Sequence, residues 1–244
     1  MKKSILTLLF LAVISNSFAH YIWIETNPSG KLNNKHEVKI RFGEFSEGVI
    51  EKVDEEHFSN VKDFTVWLIA PDGSKTSLQT IAKNDYYSTS FIPKQKGTYT
   101  IALDNKRIKV FDYTKYNYTT FKPEYHAKAR IVVGNSISEL KPTNPKGIEI
   151  IDVTPKLHNR SDKITLKVLY KNLTLKNGEI TLFSGDKWSL KGKTNEKGLV
   201  TFKLPKKTTY TVEATHEEKT PGTFKGDDYK IIWHCATYFV NNNL

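Results

Sequence analysis

Apolar and polar residues alternate in short runs along most of this chain. Residues 36–42 read HEVKIRF, with His36, Val38, Ile40 and Phe42 on one side and Glu37, Lys39 and Arg41 on the other. Lys163–Tyr170, KITLKVLY, has the same period. Successive side chains of a strand point to opposite faces, so these runs predict half-buried strands. By the same reasoning strands are expected at 21–25, 64–70, 77–81, 86–91, 97–103 and 107–113. They resume at 148–153, 179–183, 199–204, 210–214 and 230–240. Turn clusters such as Asn27-Pro28-Ser29-Gly30, Pro71-Asp72-Gly73-Ser74 and Asn177-Gly178 separate them. No helical period lasts beyond about two turns. Residues 49–60 are acidic and read as a short helix or a long loop. Residues 116–133 read as a loop or helical turn feeding a last strand.

The rhythm breaks once, at Leu140-Lys141-Pro142-Thr143-Asn144-Pro145-Lys146-Gly147, two prolines and a glycine among polar residues. The expected fold is therefore all-β, with two tandem immunoglobulin-like or prealbumin-like sandwiches. The first covers residues 20–135, a linker covers 136–147, and the second covers 148–244.

The start of the chain follows another pattern. Lys2 and Lys3 precede an almost continuous apolar run over residues 5–14, too short to span a bilayer. Polar Ser15, Asn16 and Ser17 follow, and Ser17 and Ala19 occupy the small-residue positions of a signal-peptidase site. Residues 1–19 are expected to be a signal peptide, and the mature protein to be periplasmic or secreted. Cleavage after Ala19 makes His20 the new N-terminus. An N-terminal His offers one ion both an imidazole and an α-amine, and the amine has a reference pKa of about 7.7–8.0, so a cation displaces its proton near neutrality.

Charge and cysteine content narrow the options. The chain carries a formal charge of +11, but its lysines are spread through the strand-like runs without an arginine cluster. No nucleic-acid partner is expected. No second long apolar run exists, so the mature chain is not expected to span a membrane. The lone Cys235 excludes an internal disulfide and multi-thiolate metal sites.

Two resemblances follow from particular residues. The run Gly178-x-Ile180-x-Leu182, then Thr194-Asn195-x-x-Gly198-x-Val200-x-Phe202, then Tyr210-x-Val212-x-Ala214 resembles the carboxypeptidase-regulatory or prealbumin-like sandwich. The wider chain is similar to a bacterial exported family of unknown-function domains linked to nickel and cobalt uptake. Five features carry that likeness. They are Ala19-His20-x-x-Trp23-x-Glu25; Ile148-Glu149-Ile150 with Pro155; Lys167-Val168-Leu169-Tyr170; the 194–202 turn and strand; and His216-Glu217-x-x-x-Pro221-Gly222 with His234-x-Ala236-Thr237. The resemblance implies a periplasmic protein that handles a divalent transition metal, nickel, cobalt or copper, with an inner-membrane metal transporter as its partner. The first domain lacks a His-rich tract, which argues against a high-capacity store.

Strand parity places His216 at the rim of its strand and His234 on the face of Ala236 and Tyr238. If those strands neighbour each other, the two histidines converge, and with His20 they form an all-nitrogen site suited to Cu²⁺, Ni²⁺ or Zn²⁺. His126 is a weaker candidate. His36, His57 and His158 read as solvent-facing. Glu25 and Glu44 are carboxylates that a ligating imidazole could use as a partner. Trp23 and Trp233 read as core or shielding residues, and Cys235 as a small buried one. An N-terminal His with a second His can also hold copper for oxygen chemistry, but no substrate groove is legible in the sequence. The chain has no Gly-x-Ser-x-Gly, His-Glu-x-x-His or phosphate-binding glycine loop, and Glu55-Glu56 and Asp227-Asp228 are adjacent rather than paired across a site. It is therefore expected not to be an enzyme. A recognition module that binds glycan or another envelope protein through Tyr86, Tyr87, Tyr116 and Tyr118 is the alternative.

Overall fold

The computed structural model describes residues 20–135, 137–138, 140–155 and 163–243. The expected signal peptide, His158 and two positions of the expected linker, 136 and 139, lie outside the described residues. In chain order the longer strands are β1 (Tyr21–Thr26), β2 (His36–Glu44), β3 (Thr65–Ile69), β4 (Lys75–Leu78), β5 (Tyr87–Phe91), β6 (Gly97–Asn105) and β7 (Thr120–Val133). There follow β8 (Ile148–Asp152), β9 (Lys163–Tyr170), β10 (Glu179–Ser184), β11 (Ser189–Lys193), β12 (Leu199–Lys203), β13 (Thr209–Glu218) and β14 (Ile231–Asn241). The one α-helical turn among the described residues, α1 (Glu56–Ser59), falls within the acidic segment. Among the described residues no helix is long and apolar enough to cross a membrane.

Among the described residues three larger sheets build the body, beside a two-stranded ribbon of Gly222–Phe224 and Asp227–Tyr229. A small sheet orders β1-β2-β5. A large sheet runs β11-β10-β13-β14-β7-β6-β3-β4. In the third sheet β9 pairs with β8 along one part and β12 along another. The large sheet crosses the expected linker: β14, from the C-terminal half, pairs in parallel with β7, from the N-terminal half, from Phe121↔Ile231 to Lys128↔Tyr238.

That seam separates two cores. Cys235 and Phe239 on one face of β14 join Tyr21, Ile22, Ile40, Phe42, Tyr125 and Ile131. Ala236, Tyr238 and Val240 on its other face join Ile150, Leu166, Val168, Leu182 and Val212. Because β14 is buried on both faces, its sequence is a nearly continuous apolar run rather than an alternation.

Three local expectations need correction. In residues 116–133 a helical turn and loop do lead into a strand, but the strand takes up most of the segment: β7 alone covers fourteen residues. Its odd positions Tyr125, Ala127, Ala129 and Ile131 face the first core, while Lys122, Glu124, His126, Lys128 and Arg130 are buried on the other side. Charge at every second position disguised a buried strand. Partners explain how those charges survive burial. Lys122 Nζ donates to Glu124 Oε1 at 2.7 Å, Lys128 pairs with Glu149, and Arg130 pairs with Asp152 at 3.0 Å. Residues 107–113 form only a two-residue strand, Phe111–Asp112. β11 was not expected; it is an exposed edge strand with weak alternation.

Candidate metal centre

His20 stands immediately before β1, which is paired with β2 so that Tyr21 lies opposite Gly43. The chain then doubles back: Val49–Ile50 pairs with Glu44 and Gly43, and the Glu51 amide donates to the Phe42 carbonyl at 3.0 Å. This return requires glycine at 43. Its φ is +147°, and a Cβ there would lie 2.3 Å from the Val49 carbonyl oxygen. The hairpin brings the Glu51 carboxylate under His20. α1 adds His57, held in place because its neighbour Phe58 is fully buried against Phe42, ring centroids 5.6 Å apart.

One carboxylate oxygen, Glu51 Oε1, lies 2.8 Å from His20 Nε2 and 3.2 Å from His57 Nδ1. The three donor atoms fall within 4.8 Å of one another. Contacts of about 3 Å are also the spacing of neighbouring ligands on one ion with bonds of about 2.0–2.2 Å. Burial pushes the Glu51 carboxyl up, but hydrogen bonds from His57 and His20 outweigh it and leave the pKa below the ordinary value. The carboxylate is thus ready as an anionic ligand. The Tyr125 hydroxyl donates to the His20 carbonyl at 3.3 Å. His20 Nε2 faces Glu51, whereas only Nδ1 could close a six-membered chelate with an α-amine freed by the expected cleavage. Use of both groups on one ion therefore calls for rotation of the imidazole.

An open groove of about 1260 Å³ extends from His20 and His57 past Tyr113, Tyr118, Phe121 and Trp233. Trp233 packs edge-on against Tyr125 at 5.9 Å and Phe121 at 6.2 Å.

The structure distributes the expected site residues differently. His216 and His234 lie directly opposite each other in the β13–β14 register. His20, however, precedes a strand of the small sheet and lies on the side of the large sheet that carries Tyr125, while His234 lies on the opposite face with Ala236. The three histidines do not converge. His216 packs its ring 4.0 Å from that of Tyr170. His234 is buried and joins Glu124 and His126 in a second group whose donor atoms fall within 4.8 Å.

The remaining candidates have other roles. His57 is exposed as expected, yet it reaches Glu51. His36 is 7% exposed, not solvent-facing; its Nε2 lies 2.8 Å from Thr26 Oγ1, and burial lowers its pKa. Glu25 accepts from Trp23 Nε1 at 2.9 Å and Arg41 Nε at 2.7 Å, away from both groups. Glu44 belongs to neither. Trp23 is a core residue, and Cys235 is buried, which raises its thiol pKa. Of the four tyrosines only Tyr116 is well exposed; Tyr87 is wedged between Phe58 and Phe64.

The profile of a domain of unknown function, DUF4198, matches residues 17–218. The chain belongs to this family. The DUF4198 match contains His20, Glu51 and His57 and stops before His234. No curated protein matches the chain. Among solved structures, a DUF4785 family protein from Legionella pneumophila is similar at TM-score 0.28 and 12% identity, over 78% of this chain and 52% of that one. A BSP domain of a biofilm associated protein is similar at TM-score 0.23 and 11% identity, over 91% of this chain and 30% of that one. The DUF4198 chain thus spans about half or less of either neighbour, and likeness at this level carries no functional weight.

Proposed function

We propose that this DUF4198 protein is a non-enzymatic metal-binding protein of the cell envelope. It captures or delivers a divalent transition metal, nickel, cobalt or copper, at the mature N-terminus. The observation that supports this reading is the approach of His20 and His57 to one oxygen of Glu51. Two imidazoles, a carboxylate and the amine released by signal cleavage are borderline donors, matched to Ni²⁺, Co²⁺ and Cu²⁺ rather than to Mg²⁺ or Ca²⁺. The partial exposure of His20 and His57 suits a centre that exchanges its ion with a partner, and an inner-membrane transporter is the proposed recipient. Titration of protein beginning at His20 with each metal tests this. A tight equivalent that His57→Ala or Glu51→Ala weakens by about tenfold or more supports it; if no bound equivalent responds to either substitution, the reading fails.

A second reading rests on the groove beside His20, with its wall of Tyr113, Phe121 and Trp233. Aromatic faces of this kind stack on sugar rings. Glycan binding that survives chelators and is lost in Trp233→Ala would favour a recognition module over metal handling.

A further inference from the structure

The second histidine group lies across the β7–β14 seam, and the orientation of each ring is fixed from behind. His126 Nδ1 faces Asp104 Oδ1 at 3.3 Å. His234 Nε2 faces Glu218 Oε2 at 3.1 Å. The Glu218 hydrogen bond holds the His234 proton at Nε2 and leaves the lone pair on Nδ1, and Asp104 Oδ1, which makes no hydrogen bond of its own, favours the same arrangement at His126 by charge. Those other nitrogens, His126 Nε2 and His234 Nδ1, are buried without a hydrogen-bond partner. The Glu124 carboxylate completes the group, its Oε2 3.6 Å from His234 Nδ1. His126, His234 and Glu124 are 5%, 1% and 8% exposed.

Two lone pairs and a carboxylate therefore converge in the interior with nothing between them to receive. Leaving a buried acceptor unsatisfied is destabilising, so a group of this kind calls for an acceptor of electron pairs at its centre. The outer carboxylates on both imidazoles are the arrangement that orients and strengthens metal-binding histidines. Space has been kept for it. A Cβ at Gly147 would lie 3.0 Å from His126 Nε2 and 3.2 Å from His234 Nδ1. A cavity of about 30 Å³ lined by Asp104, His126 and Asn144 adjoins the site.

We propose that Glu124, His126 and His234 form a second metal site, buried at the seam and distinct from the His20 centre. Its ion is a divalent transition metal of the Zn²⁺, Co²⁺ or Ni²⁺ class, held by two imidazole nitrogens and one carboxylate. The three carboxylates around it are matched by cations: Lys122 on Glu124 at 2.7 Å, Lys171 on Glu218 at 2.7 Å, and Lys106 near Asp104 at 3.9 Å. Affinity then comes from the coordinate bonds and not from net negative charge, which disfavours Ca²⁺ and Mg²⁺. Glu124 and His126 belong to β7 and His234 to β14, so the ion ties the two halves together.

The test separates this site from the N-terminal one. Protein with one extra residue before His20 and His57→Ala lacks the first centre and retains every ligand of the second. It is stripped in urea with chelator, refolded with Co²⁺ and desalted. One retained equivalent, with visible absorption typical of nitrogen and oxygen ligands, supports the proposal. No retained cobalt overturns it and means that water or a proton fills the group. In the same background Gly147→Ala, whose methyl group would displace Asn144 Nδ2 at 2.6 Å and press on both nitrogens, and His126→Gln should each lose the equivalent. Retention of cobalt in folded His126→Gln protein, judged by circular dichroism, also overturns it. Failure of the His20 reading would leave these results unchanged.

Discussion

Two carboxyls of the β13 strand show how strongly single residues depend on their surroundings. Glu213 lies close to Tyr21 and Cys235, and burial pushes its carboxyl up to about 7. Between the ordinary carboxyl range and about 7 the folded state keeps this proton while the unfolded chain has lost it. Stability therefore falls as pH rises through that window. Glu213→Gln should raise the melting temperature at pH 8 and change it little at pH 4. Equal shifts at both pH values would contradict the assignment. Glu218 behaves in the opposite sense. Burial raises its pKa, but hydrogen bonds from Lys171, Tyr170 and His234 outweigh that and bring it down to about 2. Its contribution is present above the unfolded carboxyl range and is lost as pH falls toward 2. Glu218→Gln should therefore destabilise at pH 7 and approach neutrality near pH 2, as thermal melts across pH would show. Residue chemistry was partly legible beforehand. His20 as a ligand candidate follows from the expected cleavage site, but Glu51 and His57 carry no local signal, because their approach is set by the return of the chain at Gly43.

At the scale of elements, the turn at Gly43 and strand β7 carry the account. Replacing Gly43 by Ala forces a strained backbone and a 2.3 Å approach to the Val49 carbonyl. A loss of about 1–3 kcal/mol is expected, together with weaker nickel binding as Glu51 shifts; full stability and affinity would show that the hairpin does not position the site. β7 depends on its buried pairs. Glu149→Gln leaves Lys128 buried without its counter-charge and should cost about 3–5 kcal/mol by urea denaturation. A change below about 1 kcal/mol would mean that water reaches Lys128. Strands with one solvated face, such as β2 and β9, were legible from their alternation. β7 was not: alternation of charge and apolar residues normally means a solvated face, and here the charged face is covered by β8.

For the whole molecule, the parallel β7–β14 pair makes two cores share one sheet. The proline-rich stretch at 140–147 is legible as a break, but the return of the last strand to the first half is not, since such pairing leaves no local pattern. The shared sheet predicts cooperative unfolding. Trp23 sits in the first core and Trp188 packs against the second. Single-tryptophan proteins retaining one or the other should give coincident urea transitions, matching far-UV circular dichroism. Two separated midpoints would show that the halves fold independently across the seam.

The central claim is that the mature N-terminus holds a transition metal. The most direct measurement is calorimetric titration with Ni²⁺ of protein beginning at His20, beside protein carrying one additional residue before it. With the buried group removed by His126→Gln in both proteins, tight one-to-one binding that the extension weakens by about tenfold or more is the expected result. Equal binding by both, or binding by neither, would contradict it.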